Sequence, residues 1–193
     1  MINNAAGTNE LMAAGITVAK GTQEKVKGGG VFTLKCFDKD GNLKWESVSP
    51  NLVVNVGLQD MNTKYFSGSA YTAAWYVGLY GAAASNTPAA ADTMSSHAGW
   101  TEVIAYSQAT RVAATFGTAT TADPSVISNS ASPAIFTING TTTVGGAFLT
   151  TGSAKSGTAG TLFSASDFAA PGDRAVVSGD TLTVTYQFSL DAA

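Results

Sequence analysis

Apolar and polar residues alternate with a period of two at both ends of the folded part of this chain, and that period predicts strands. In residues 31–37, Phe32, Leu34 and Cys36 share one face while Val31, Thr33, Lys35 and Phe37 take the other. Asp38-Lys39-Asp40-Gly41-Asn42 supplies turn chemistry and residues 43–46 return, so a β-hairpin is expected there. Pro50, which has no N–H to give a ladder, ends it. Near the C-terminus Leu182, Val184, Tyr186, Phe188 and Leu190 alternate strictly over 181–190, and the first four are expected to face the core. Residues 71–80 are apolar on both faces, as in a strand at the centre of a sheet. Short strands are expected at 111–116, 134–138, 143–151, 160–164 and 174–177, separated by Gly, Ser, Asp and Pro. A single helix is expected near 56–65, capped by Asn55, with Leu58, Met61 and Tyr65 on one stripe. The fold class that follows is mainly β: an antiparallel β-sandwich or jelly roll with one short helix and an extended N-terminal arm.

Two stretches fall outside that pattern. Residues 1–30 read as an arm whose apolar residues are too scattered to bury a face, joined to a single domain at 31–193 by the flexible triglycine Gly28-Gly29-Gly30. Within the arm Ile2, Leu11, Met12, Ile16, Thr17 and Val18 are the expected partner-binding residues, with Ile16-Thr17-Val18 strand-like enough to add to a partner's sheet edge. Residues 81–100 form a long loop with only two large apolar side chains, Met94 and Trp100. Loops of this length are often functional, so His97 and Trp100 join the expected contact residues.

Composition narrows the function classes. Only 12% of residues are charged, against about 25% in ordinary domains, with Gly, Ala, Ser and Thr in their place. Such a surface repels neighbours poorly and suits many copies packed together. The net charge is −3, distributed as +1 over residues 1–64 and −4 over the rest, with no basic patch for phosphates, so direct nucleic-acid binding is not expected. No apolar run approaches the roughly 20 residues of a membrane span, and the start of the chain lacks the pattern of a secretion signal.

Candidate chemistry is sparse. One His and one Cys cannot build a zinc set, and a nucleophile–base–orienter triad would have to be built on His97, the single imidazole. Ser96 and His97 are sequence neighbours, which seldom point at one another productively. Cys36 shares its face with Phe32 and Leu34, where a thiol behaves as a small hydrophobe. Asp38-x-Asp40-x-Asn42 starts like a calcium loop, but Leu43 stands where that loop needs glycine and Ser49 where it needs glutamate, so a hairpin turn is expected instead. No catalytic residue, cofactor or metal is expected.

Three segments, FTLKCFDKDGNLKWE (32–46), NLVV…GL…YF…YTAAWYVGL (51–79) and GAFLTT…GTLFSA…F…VVSGDTLTVTY (146–186), together resemble a family of small structural proteins of tailed-bacteriophage and prophage virions. The resemblance spans about residues 31–190 and implies a particle component without catalysis or cofactor. Likeness to compact β-domain cement or decoration proteins carrying extended arms places the expected site on the capsid exterior, after synthesis in the bacterial cytoplasm. The expected partners are the major capsid protein and further copies of this chain. The alternative is a tail, baseplate or fibre component that attaches to host glycans, for which Trp100 is the available exposed aromatic.

Overall fold

The computed structural model describes residues 26–68, 71, 73–81, 87–168 and 172–192. The arm residues Ile2, Leu11, Met12, Ile16, Thr17 and Val18 lie outside the described residues. The fold is mainly β, with antiparallel sheets and, among the described residues, one helix.

The alternation at the two ends of the domain brings those ends together. Val26–Phe37 (β1) pairs with the final strand Thr181–Ala192 (β13) residue for residue, from Val26 opposite Ala192 to Phe37 opposite Thr181. On its other side β1 carries the predicted hairpin partner, Leu43–Pro50 (β2). The hairpin turn is held by Asp38, whose carboxylate accepts from the N–H groups of Asp40 and Asn42 at 2.9 Å each. Gly41 supplies the left-handed φ of 85° that the turn requires. Beyond β13, Ser125–Ser128 (β7) and Ala134–Thr137 (β8) pair with successive stretches of the same edge, completing the first sheet.

The second sheet runs Leu52–Val53 (β3), Leu162–Asp167 (β11), Gly146–Thr150 (β10), Tyr76–Gly81 (β4) and Thr101–Val103 (β5), with Val112–Ala113 (β6) also on β4. Thr142–Val144 (β9) and Arg174–Val176 (β12) make a separate two-stranded ribbon. The two large sheets pack face to face across one core: Phe32, Leu34, Cys36, Leu182, Val184 and Tyr186 from the first meet Val77, Leu79, Ala147, Leu149 and Phe163 from the second. The two sheets make the expected antiparallel β-sandwich, with consecutive strands side by side in one sheet at β1–β2 and β10–β11.

The second sheet is covered on its outer face as well. The helix Asn55–Phe66 (α1) and the loop before β5 lie there, so Tyr80, Phe148, Leu162 and Ala165 pack with Val54, Met94 and Trp100 in a second cluster. This third layer explains why β4, β10 and β11 are buried on both faces. Two aromatic–glycine pairs make room within the sheet. Phe148 stands opposite Gly78 and Tyr80 opposite Gly146, and a Cβ on either glycine would fall 2.1 Å from the Phe148 ring or 2.4 Å from that of Tyr80.

Several expectations are corrected. Gly28-Gly29-Gly30 is no joint: it is laddered to Leu190, Ser189 and Phe188, and the folded domain starts by Val26 rather than at 31. Glycine reads as a linker because it lacks a side chain, but at position 30 that lack is steric, since a Cβ would sit 2.8 Å from both the Tyr186 hydroxyl and the Gln187 carbonyl. Asn55 is not the cap; Val54 takes that place, without a side-chain bond. Of the expected stripe on α1 only Met61 packs against the core. Leu58 and Tyr65 are exposed, and Gly57, the one buried residue of α1, rests directly on the backbone of Phe163. The strand expected over 143–151 is two, because the chain changes partner at Gly145: β9 joins β12 while β10 joins β4.

Candidate functional site

The loop that marks a functional stretch in the sequence is a structural cap where it is described. Asp92, itself buried, accepts from the Ala89 N–H at 2.9 Å and from the Trp100 indole at 3.1 Å, which ties two parts of the loop to one carboxylate. Trp100 is 2% exposed, between Tyr80 and Phe148 with ring centroids 5.3 and 5.2 Å away. It therefore offers no platform to a sugar or a partner, which corrects the sequence expectation: two apolar residues in a polar loop were enough to anchor it. His97 stacks on Trp100 at 3.9 Å, with Nδ1 3.0 Å from the Trp100 carbonyl, so its ring serves the same cap.

The buried ionisable groups are committed to each other. Arg111 grips Glu102 with two parallel bonds, Nε to Oε1 at 2.9 Å and Nη2 to Oε2 at 2.8 Å. Its remaining donors reach the Gly152 and Gly157 carbonyls at 2.8 and 3.0 Å, with its charge 5.2 Å over the Phe148 ring. The Ser156 N–H adds a 2.7 Å bond to Glu102. This cluster pins the loop between β10 and β11 to β5. A second tie joins Lys44 to the buried Asp180, which also accepts from the Val177 N–H at 2.9 Å and faces the Cys36 sulfur at 3.8 Å. Burial, with the Asp180 charge adding to it, pushes the Cys36 thiol up to about 11, so at neutral pH it is an unreactive core group. Asp38 at the hairpin moves the other way. The bonds from the Asn42 side chain and backbone hold its carboxyl below the usual range, as a turn acceptor.

A different feature has the shape of a binding site. Between α1 and residues of both sheets lies an apolar groove of about 340 Å³. Leu149, Phe163, Tyr186 and Phe188 form its floor, and Trp75, Phe116 and Ile127 its walls. The floor is rigid. The Tyr186 hydroxyl takes bonds from Asn51 at 2.9 Å and Ser164 at 3.3 Å, and burial outweighs these in pushing it up to about 12. Asp60, Lys64, Tyr65 and Tyr71 make the rim, where Lys64 pairs with Asp60 at 2.9 Å and lies 4.2 Å over the Tyr71 ring. Beside it Tyr65 and Phe66 stand 80% and 78% exposed, their rings edge to face at 4.9 Å. Sequence reading missed this groove. Its only local signal was an excess of aromatics around α1 and at Trp75 and Phe116 that no strand face consumed.

Among the described residues no three His, Cys, Asp or Glu side chains gather as a metal site, and no helix is long and apolar enough to cross a membrane. The groove can bind apolar groups; its lining offers them contact area and no partnerless charge. In comparisons with known proteins the chain matches no family model, no curated protein and no solved structure.

Proposed function

We propose that this chain is a non-enzymatic structural protein of a tailed-bacteriophage particle, and within the particle a cement or decoration protein on the outside of the shell. Its partners in this reading are the major capsid protein and further copies of itself, and it works without a cofactor. The likeness of the three segments at 32–46, 51–79 and 146–186 to phage structural proteins suggests the class, and the low charge of the surface suits crowded copies. The observation that carries the tether part of the reading is the root of the arm. The described chain begins at Val26, the end of a twelve-residue strand laddered on one side to β13 along its whole length and on the other, over residues 31–37, to β2. A load on the arm enters the middle of a sheet rather than a loop. Ordering such an arm costs about 1–2 kcal/mol per residue, an amount that contacts on a partner surface must supply, and many linked copies add avidity.

The tail, baseplate or fibre alternative, with attachment to host glycans, now rests on the exposed rings of Tyr65 and Phe66, since Trp100 is buried. Deleting residues 1–25 tests the preferred reading, because it leaves both ladders of β1 intact. The shortened protein is expected to stay folded and to lose co-sedimentation with particles, which then rupture sooner on heating. Full occupancy of shells by the shortened protein would end the tether reading, and a full-length protein found at a few copies on the tail would end the capsid assignment.

A further inference from the structure

We propose that the edge of β1 over residues 26–29 is a strand-addition site, and that the strand it takes is Ile16-Thr17-Val18 of the same chain, closing a hairpin at the head of the first sheet. The inference goes beyond the function proposed above, because it names where the arm rests on its own domain when no partner holds it.

β1 outruns its hairpin partner. The ladder to β13 covers all twelve residues, but the ladder to β2 stops at Val31 opposite Pro50, which has no N–H to carry it further. The row closes with the Asn51 N–H on the Gly30 carbonyl at 2.9 Å, and the chain then turns off into β3. That bond fixes the direction of its neighbours. In an antiparallel strand the N–H and C=O of one residue point to the same side, and every second residue repeats the direction. Gly28 and Val26 therefore aim both groups where Gly30 does, away from β13. Gly29 points the other way, and its carbonyl accepts from Ser189 Oγ on β13 at 3.3 Å.

Among the described residues none stands opposite Gly28 or Val26 on the open side, and Val26 is 73% exposed. An open row of main-chain donors and acceptors is a template for another strand unless something blunts it. Here there is no proline and no register shift from Val26 to Gly30, and Lys27 is the one charge. Side chains do not bar the approach either: a Cβ at Gly29 would meet nothing within 4 Å, so branched side chains find room across from the glycines.

The chain that precedes the edge identifies the occupant. Twenty-five residues come before Val26, and the sequence enters the sheet at the vacant edge itself. Residues 11–19 carry no charge, and within them Ile16-Thr17-Val18 is a run of β-branched residues suited to strand addition. Ala19 to Lys25 connects Val18 to Val26, with Gly21 free to take the reversed backbone of a turn. Closing so short a loop costs less entropy than recruiting a distant segment.

Residue-resolved amide hydrogen exchange of the full chain tests the pairing, with Gly29, laddered to β13, as the internal control. The Gly28 amide is expected to exchange slowly in the parent. Thr17→Pro, which cannot sit in a ladder, is expected to speed it at least about tenfold while Gly29 stays protected. Overhauser contacts between Gly28 and residues 14–19 in the parent read the same pairing without a variant. Protection at Gly28 is expected to be unchanged over about a hundredfold dilution. Free exchange at Gly28 in the parent, equal rates in parent and Thr17→Pro, or absent Overhauser contacts overturn the proposal. Protection that fades on dilution assigns the strand to another copy and overturns it too. An unprotected Gly28 leaves the tether reading standing, whereas full shell occupancy by the shortened protein ends the tether reading and leaves the hairpin.

Discussion

Arg111→Met tests how far this low-charge protein relies on a single buried ion pair. The Arg111 and Glu102 side chains are 1% and 6% exposed, and the guanidinium makes four bonds: two to Glu102 and one each to the Gly152 and Gly157 carbonyls. Methionine fills much of the same volume under the Phe148 ring but supplies none of these donors. Glu102 keeps the Ser156 N–H as its one remaining bond and is otherwise a buried charge without a counterion. Breaking such a pair from one side costs about 3–5 kcal/mol, mostly as the penalty on the charge left behind. Total stability for a domain is of the order of 5–15 kcal/mol, and at about 2–4 °C per kcal/mol for this size the melting temperature should fall by roughly 6–20 °C. Urea unfolding of parent and variant at neutral pH measures the difference. Adding Glu102→Gln to Arg111→Met removes the stranded charge while keeping an acceptor for Ser156, so the double variant should be more stable than Arg111→Met alone. A single-variant loss below about 1 kcal/mol, or a double variant no better than the single, would refute the argument that a desolvated charge dominates.

Two further outcomes bear on the backbone and on pH. Gly29 has open space where a Cβ would stand and sits in the β1–β13 ladder; Gly29→Thr should therefore stabilise by about 0.5–1 kcal/mol, whereas Gly78→Ala, driven into the buried Phe148 ring, should destabilise by about 1–3 kcal/mol or more. Urea midpoints decide both, and a neutral Gly29→Thr would return the triglycine to a flexible joint. On the alkaline side, the Cys36 thiol ionises from about 9 in the unfolded chain and holds its proton to about 11 in the fold. The unfolded state binds fewer protons in that window, so stability falls as pH rises through it. Cys36→Ala lacks that contribution, and its urea midpoint should fall less steeply between about pH 9 and 11; parallel slopes would show that the thiol does not report the transition.

What the sequence determined by itself is what repeats at short range. Strict alternation named the buried set Leu182, Val184, Tyr186 and Phe188, and Asp38 with Gly41 marked the hairpin turn, because a period of two and a left-handed turn are local properties of the backbone. The double-sided apolarity of β4 announced a strand covered on both faces. The cover itself, α1 and the loop anchored by Met94 and Trp100, was decided only by packing. Gly57 seats its helix by what it lacks, and no hydrophobic stripe signals that. The triglycine joined a ladder because β13 offers it a partner some 160 residues away, and no local rule reaches that far. The same distance hid the groove: Trp75, Phe116, Ile127 and Phe188 come from four separate segments and acquire a common purpose only when the sandwich closes around them.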